Sequence, residues 1–300
     1  MLSSTNLWMG FAGLLYLVAG VFHFRREFSA ARGLEKLITL GSAFIASSLA
    51  VFAPEHFKGP QFVQSMVPSW MPAHLFWTYF VGCALLAAAT SLSIGKCVRL
   101  SSTLLGLMFL LFVAMIYFPS ALTHPADRFG WAYALRDLSF AGGAWAIAGL
   151  HFRASSPQLS KGMISFGRIA IAVAAIYYAV ENFLHPDFDP GVPLEERIPP
   201  WVPFATASGY LAGAVLLAAG FALALNRRTR AAATAIGALM TFLTLHPYLT
   251  ILIHARTGSS SEFNDALNYV ADTLLYGGSA LALASALPRD PGRGEGRIAL

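Results

Sequence analysis

The sequence predicts an all-α polytopic membrane protein, and composition and the length of the apolar runs are the two observations that predict this class. Of 300 residues, 56% are hydrophobic and only 12% are charged, and the mean hydropathy is +0.60. Soluble domains carry about 25% charged residues, so this chain has too little polar surface to cover a water-exposed globule. Its apolar runs reach the length of about 20 residues that a helix needs to cross a bilayer.

Nine apolar segments are long enough to be predicted membrane-spanning helices. Charged residues, proline or glycine mark several of their ends. The predicted spans are residues 7–24, 37–53, 73–94, 100–119, 131–150, 164–184, 203–225, 231–254 and 264–287. The first has its basic residues after the apolar run rather than before it, so we expect an uncleaved span and not a signal peptide.

The basic residues are distributed unevenly between the two sets of loops that join these spans. Fifteen lysines and arginines fall on one side, whereas only Lys58, Arg128, Arg197 and Arg256 fall on the other. The positive-inside rule therefore predicts an inner-membrane protein with its N-terminus outside and its C-terminus in the cytoplasm. Since the basic residues lie in short loops, the net charge of +5 does not indicate a nucleic-acid partner.

Two similar hexapeptides, VPSWMP at 67–72 and IPPWVP at 198–203, indicate an internal repeat. A shift of 131 residues superimposes them, and after a four-residue insertion a shift of 135 places Asp137 on Asp272. Each repeat holds four predicted spans, and an even number makes the two units parallel in the membrane. The predicted divisions are an extra N-terminal helix with a basic cytoplasmic loop (1–36), two four-helix bundle units (37–155 and 156–288) and a polar tail (289–300).

The second helix of each predicted unit is rich in glycine and leucine and ends in a basic turn. These helices read GCALLAAATSLSIGKCVRL (82–100) and GAVLLAAGFALALNRRTRA (213–231). Together with the proline-containing outer loops they resemble the DoxX family of bacterial membrane proteins. That family often carries an acidic residue about one turn before the glycine, where this chain has Tyr79 and Tyr210. The resemblance implies a four-helix membrane unit and, through the family's link to thiosulfate:quinone oxidoreduction, a role beside quinone.

A few polar side chains fall inside the predicted spans, where charge is costly and often functional. The ionisable ones are Arg136, Asp137, Glu181, His246 and Asp272, and helix direction places all five toward the outer half of the membrane. Asn182 adjoins Glu181, and Asn268 lies four residues before Asp272 on the same helix face.

Two interpretations of these polar groups remain open. In the first, Glu181, His246 and Asp272 form a proton-handling or ligand site in the second unit, since a buried carboxylate and a nearby histidine can exchange a proton. In the second, the groups are structural pairs between helices. Arg136 would then pair with Glu181 or an aspartate, and His246 with Asp272 or a tyrosine.

Three classes of function follow. The resemblance favours an accessory or redox-partner subunit that works with quinone or an oxidoreductase, and quinone is the one cofactor it implies. The intramembrane polar groups equally suit a proton-coupled transporter or binding protein for a small molecule or lipid, with a cavity between the two units. The third class is a membrane-embedded enzyme of unknown reaction that uses Glu181, His246 and Asp272. No metal site, nucleotide-binding motif or hydrolase motif is predicted.

Overall fold

The computed structural model describes residues 3–192 and 195–289, and every regular element within these ranges is helical. Seven helical stretches are long and apolar enough to cross a membrane, which makes this an all-helical membrane protein. These are α1 (Ser4–His23), α3 (Glu35–Lys58), α5 (His74–Ile94), the stretch Val98–Thr123, α9 (Pro157–Leu184), α10 (Ala205–Ala224) and the stretch Thr229–Ala255.

Two of those stretches are interrupted by π-helical turns. The first consists of α6 (Val98–Phe112), a π-helical segment (Val113–Tyr117) and α7 (Phe118–Thr123). The second consists of α11 (Thr229–Leu243), a π-helical segment (Thr244–Tyr248) and α12 (Leu249–Ala255). Two short helices, α2 (Arg25–Ala30) and α4 (Pro60–Gln64), lie in connections.

Two further long helices, α8 (Arg128–Phe152) and α13 (Ser260–Ala286), are not among the seven. Both carry charged residues in their N-terminal halves, and α13 packs against α3, α8 and α11 with most of its length buried. A helix surrounded by other helices needs no apolar outer surface, because little of it would face lipid. The predicted segments 131–150 and 264–287 therefore coincide with central helices of the bundle.

Two helices run further than their apolar segments indicate. α3 continues through Pro54 to Lys58 rather than ending at residue 53, because a proline near a helix end removes only one backbone hydrogen bond. α9 begins at Pro157 rather than at residue 164, since proline is favourable in the first turn of a helix.

The helices that follow α3 recur in the second half of the chain. α5 begins at His74 and α10 at Ala205, while α6 begins at Val98 and α11 at Thr229, so both pairs are separated by 131 residues. The two π-helical segments have the same separation. We call residues 35–152 the first half and residues 157–286 the second half.

Small residues bring the central helices into close contact. A Cβ atom on Gly143 of α8 would overlap Ser279 of α13, and one on Gly167 of α9 would overlap the backbone of Gly142. Such approaches are typical of helix packing in membranes. The connections 59–73, 124–127 and 256–259, together with residues 185–192 and 195–204, lie at one end of the bundle, which we call the loop end.

Candidate functional site

A cavity of about 770 Å³ opens at the loop end of the first half. Its walls come from α3, α4, α5, α6, the first π-helical segment and α8, and α13 of the second half closes one side. The volume falls in the range of about 300–1,000 Å³ that is usual for small-molecule sites. Residues 195 and 196, from the connection between α9 and α10, also line it. Most of the lining thus comes from the first half, and the second half closes the cavity with α13 and this connection.

One wall of the cavity is apolar and rich in phenylalanine and methionine. α5 and α6 contribute Phe80, Val81, Met108 and Phe112, among others. The hexapeptide 67–72, which first indicated the repeat, also lines the cavity. Methionine is unbranched and polarisable, so a wall of this composition can adapt to apolar ligands of different shapes.

The opposite wall holds an ionic cluster of Arg136, Asp137 and Asp272. Arg136 Nη1 donates to Asp272 Oδ2 at 2.9 Å, and its Nε donates to Asp137 Oδ1 at 3.2 Å. The three side chains are only 13%, 4% and 9% exposed. The pairing of Arg136 with an aspartate of another helix, one of the predicted alternatives, is confirmed. One guanidinium thus faces two carboxyl groups.

Four further carboxylates line the cavity at the loop end, and we call them the carboxylate rim: Glu55, Glu195, Glu196 and Asp265. Glu55 Oε1 accepts hydrogen bonds from the side-chain amides of Asn264 at 2.9 Å and Asn268 at 3.3 Å. Burial raises the pKa of Glu195, although a hydrogen bond with Tyr133 acts in the opposite direction. The rim therefore presents acceptors to whatever enters the cavity.

The loop between α9 and α10 is ordered by a buried aspartate. Asp189 Oδ2 accepts the backbone N–H groups of Glu195 at 3.1 Å and Glu196 at 3.0 Å. Burial of the carboxyl group raises the pKa of Asp189 to about 7, more than these two hydrogen bonds lower it. Asp189 thus positions two members of the carboxylate rim.

In the second half, residues 189–192, which we call the filling segment, lie against Met240 and Tyr248. These two positions come 131 residues after Phe109 and Tyr117, which line the cavity. Asn182 holds it from α9, because its Oδ1 accepts the N–H of Gly191 at 2.9 Å and its Nδ2 donates to the Gly191 carbonyl at 3.3 Å. Asn182 and Val192 are fully buried. Asn182, one of the predicted site residues, therefore anchors a loop.

Two hydroxyl groups hold the filling segment from the other side. Tyr248 donates to the carbonyl of Pro190 at 2.8 Å, and Thr273 donates to the carbonyl of Val192 at 2.8 Å. Because the carbonyl groups of the loop are satisfied inside the bundle, the segment can remain buried without a large desolvation cost.

Glu181 and His246 do not meet Asp272. Glu181 lies 3.5 Å from Arg128 and 3.8 Å from His185, while His246 Nε2 lies 3.3 Å from the carbonyl of Pro203. Neither lines the cavity. The expected grouping of Glu181, His246 and Asp272 is wrong, as is a bond from His246 to Asp272 or a tyrosine. Side chains at a similar depth in the membrane can still point away from one another, because they lie on different faces of their helices. The backbone of His246 is not helical within the second π-helical segment, so a regular helix does not predict the direction of its side chain.

Of the predicted site residues, Arg136, Asp137, Asn268 and Asp272 come together on the cavity wall. Sequence reasoning missed the aromatic residues Tyr117 and Tyr133, which also line it. Their signal was weak, because a π-helical turn shifts the helical period at Tyr117. Within residues 3–192 and 195–289, no three His, Cys, Asp or Glu side chains are grouped so that they could hold a metal ion.

The fold and the cavity together define a class: an all-helical membrane protein with a pocket of small-molecule size. A family model described as "Domain of unknown function (DUF8561)" matches residues 45–126, from the middle of α3 into the connection before α8. This segment is less than half of the chain, and it includes the apolar wall of the cavity. No curated protein and no solved structure matches the chain.

Proposed function

We propose that the protein is a nine-span inner-membrane protein built from two parallel DoxX-like four-helix units after an extra N-terminal helix. The equal separation of the paired helices and of the π-helical segments supports the repeat. The burial of α13 supports counting α8 and α13 as spans. With the basic connections in the cytoplasm, the loop end and the cavity mouth face outward, and the C-terminus lies inside.

We propose further that the protein binds a small amphipathic molecule in the cavity of the first half. We also propose that it transports this molecule and that the transport is coupled to the movement of protons. The observation that carries this proposal is the division of one cavity of about 770 Å³ into an apolar wall and an ionic wall. Mainly apolar pockets with a few convergent polar groups are typical of small-molecule sites. The ionic cluster has two carboxylates for one guanidinium, so it can take up a proton when the ligand arrives or leaves.

The bilayer is the proposed source of the ligand. Phe80 of α5 and Leu111 of α6 line the cavity and are about half exposed, 53% and 47%. In a membrane their outer surfaces would face lipid. An apolar molecule dissolved in the bilayer can therefore reach the cavity beside α5 and α6.

A second candidate is an accessory or redox-partner role with quinone as the ligand. The presence of Tyr117 on the cavity wall favours it, because its hydroxyl can donate a hydrogen bond to a quinone carbonyl. The geometry gives no support to an enzyme that uses Glu181, His246 and Asp272, because these three residues are apart.

The test is native mass spectrometry of the protein purified in lipid nanodiscs. Val81→Trp places a large ring on the apolar wall, and Ala87→Trp places the same ring on an exposed position of α5 that does not line the cavity. We expect wild type and Ala87→Trp to retain the same small molecule and Val81→Trp to lose it. Equal retention by all three proteins would refute binding in this cavity, and the mass itself distinguishes a quinone from other amphiphiles.

A further inference from the structure

The described lining of the cavity holds more acidic groups than basic groups. Its described lining includes six carboxylates, namely Glu55, Asp137, Glu195, Glu196, Asp265 and Asp272, whereas Arg136 is the only lysine or arginine among the described lining residues. Arg136 is already engaged by both aspartates of the ionic cluster. The ion pairs found among the described residues include none of the four carboxylates of the rim.

The hydrogen-bonding groups show the same imbalance, independently of the charges. The amide nitrogen of Asn268 donates to Glu55, and the buried Oδ1 of Asn268 has no hydrogen-bond partner. The Arg136 donors described above point at Asp137 and Asp272. The Asn268 amide and the Arg136 guanidinium are therefore engaged, whereas the Asn268 oxygen is left to accept a hydrogen bond. This arrangement suits a ligand head that donates hydrogen bonds or is positively charged.

Aromatic rings are the third feature of the cavity that favours a positively charged ligand. Tyr133 and Tyr269 line the cavity from α8 and α13, the helices that carry the ionic cluster, and Trp77 lines it from α5. The face of Tyr133 already lies 5.1 Å from the Arg136 guanidinium carbon, which shows that this ring accepts a cation here. Aromatic faces and carboxylates around one pocket are the combination that recognises organic ammonium groups.

We propose that the ligand of this cavity is an organic cation with an apolar body. The body lies against the phenylalanine and methionine wall, and the cationic head lies between the carboxylate rim and the aromatic rings. Clefts lined by one sign of charge with low-dielectric walls concentrate ions of the opposite sign. This inference rests on the proposed binding function and names its ligand class.

Two probes of nearly equal size and opposite charge test it: tetraphenylphosphonium and tetraphenylborate. Binding of each radiolabelled ion to the protein in nanodiscs is measured against empty nanodiscs, which corrects for partition into lipid. A water-soluble short-chain quinone serves as the neutral probe. We expect saturable binding of tetraphenylphosphonium and none of tetraphenylborate.

Matched variants locate the site. Glu55→Gln removes one rim charge but keeps an acceptor for Asn264 and Asn268, and we expect it to weaken tetraphenylphosphonium binding about tenfold. Asp187→Asn makes the same change of charge at an exposed ion pair of the loop end, away from the cavity, and we expect no loss. Glu195→Gln should act like Glu55→Gln.

The outcomes separate this inference from the proposed function. If the quinone or tetraphenylborate binds as tightly as the phosphonium ion and Val81→Trp abolishes that binding, the cavity is a ligand site but the cation inference is wrong. If none of the three probes binds saturably, both proposals fail. Equal weakening by Glu55→Gln and Asp187→Asn would also overturn the inference, because it would show a general surface effect.

Discussion

The two halves of the bundle have helices that begin at matching positions along the chain, but they differ at the loop end. Tyr117 and Phe109 line the open cavity of the first half. Their counterparts 131 residues later, Tyr248 and Met240, lie against the filling segment instead. In the first half the connection after α3 forms a wall of the cavity, whereas in the second half the connection after α9 enters the space. The same helical frame can therefore hold a cavity or a packed core, and the connection decides which.

The largest expected effect concerns the ionic cluster. Arg136→Met leaves Asp137 and Asp272 buried without a cation, and we expect a loss of about 3–5 kcal/mol in the free energy of unfolding. The measurement is thermal unfolding in detergent. Adding Asp137→Asn and Asp272→Asn should restore most of the loss, because no unpaired charge remains. Arg128→Met removes the arginine that lies 3.5 Å from Glu181 of the second half. It should cost less, because His185 remains 3.8 Å from Glu181; an equal cost would erase this distinction between the two ionic groups.

A matched pair of tryptophans tests the difference in packing directly. Val81 lines the cavity, whereas its counterpart Ala212 is fully buried. Ala212→Trp should therefore destabilise the protein by about 3 kcal/mol, the upper end of the usual overpacking cost. Val81→Trp should leave the thermal midpoint nearly unchanged because it fills empty space. Equal destabilisation by the two substitutions would show that the first half has no real cavity.

The pH dependence of stability tests the buried loop of the second half. The pKa of Asp189, about 7, lies above the ordinary carboxyl value of about 3.9. The contribution of Asp189 to the free energy of unfolding is therefore largest below about pH 3.9, and it is lost as the pH rises through about 7. Between pH 5.5 and 7.5 it should fall by about 2 kcal/mol.

Comparison of wild type with Asp189→Asn isolates this contribution, since the other titrating groups are common to both. Asparagine keeps an oxygen that can accept the N–H groups of Glu195 and Glu196. We expect the difference between the two thermal midpoints to change with pH in the direction that favours Asp189→Asn at pH 7.5. A difference that does not vary with pH would contradict the burial of Asp189.

The smallest expected effect is at Gly191 in the filling segment. Its φ of +87° disfavours any side chain, and a Cβ there would lie 2.9 Å from the flexible end of Leu243. Gly191→Ala should therefore cost about 1–2 kcal/mol. Gly162→Ala is the control, because a Cβ at Gly162 has no neighbour within 4 Å. Gly162 lies in a helix, so its replacement by alanine should leave the free energy of unfolding unchanged or raise it slightly. Similar losses of stability at both positions would argue against a tightly packed filling segment.

The sequence predicted much of the fold because hydrophobic run length and proline or glycine boundaries mark membrane helices directly. Helix boundaries near Pro54 and Pro157 were less accurate, since proline is compatible with the ends of a helix. The nine spans and the orientation stay predictions, supported by the seven apolar stretches and the two central helices.

The candidate site was predicted only in part. Arg136, Asp137, Asn268 and Asp272 were recognised because polar residues stand out in apolar helices. The carboxylate rim was not recognised, since its members come from three elements and only the folded loop brings them together. His246 was misplaced because its depth along a helix was known but its direction was not.

The most direct test of the difference between the two halves is a density map of the wild-type protein in lipid nanodiscs. We expect non-protein density inside the cavity of the first half, between the apolar wall and the ionic cluster. We expect continuous protein density for residues 189–192 in the equivalent space of the second half. Protein side chains filling the first cavity, or an empty space where residues 189–192 should lie, would contradict the account.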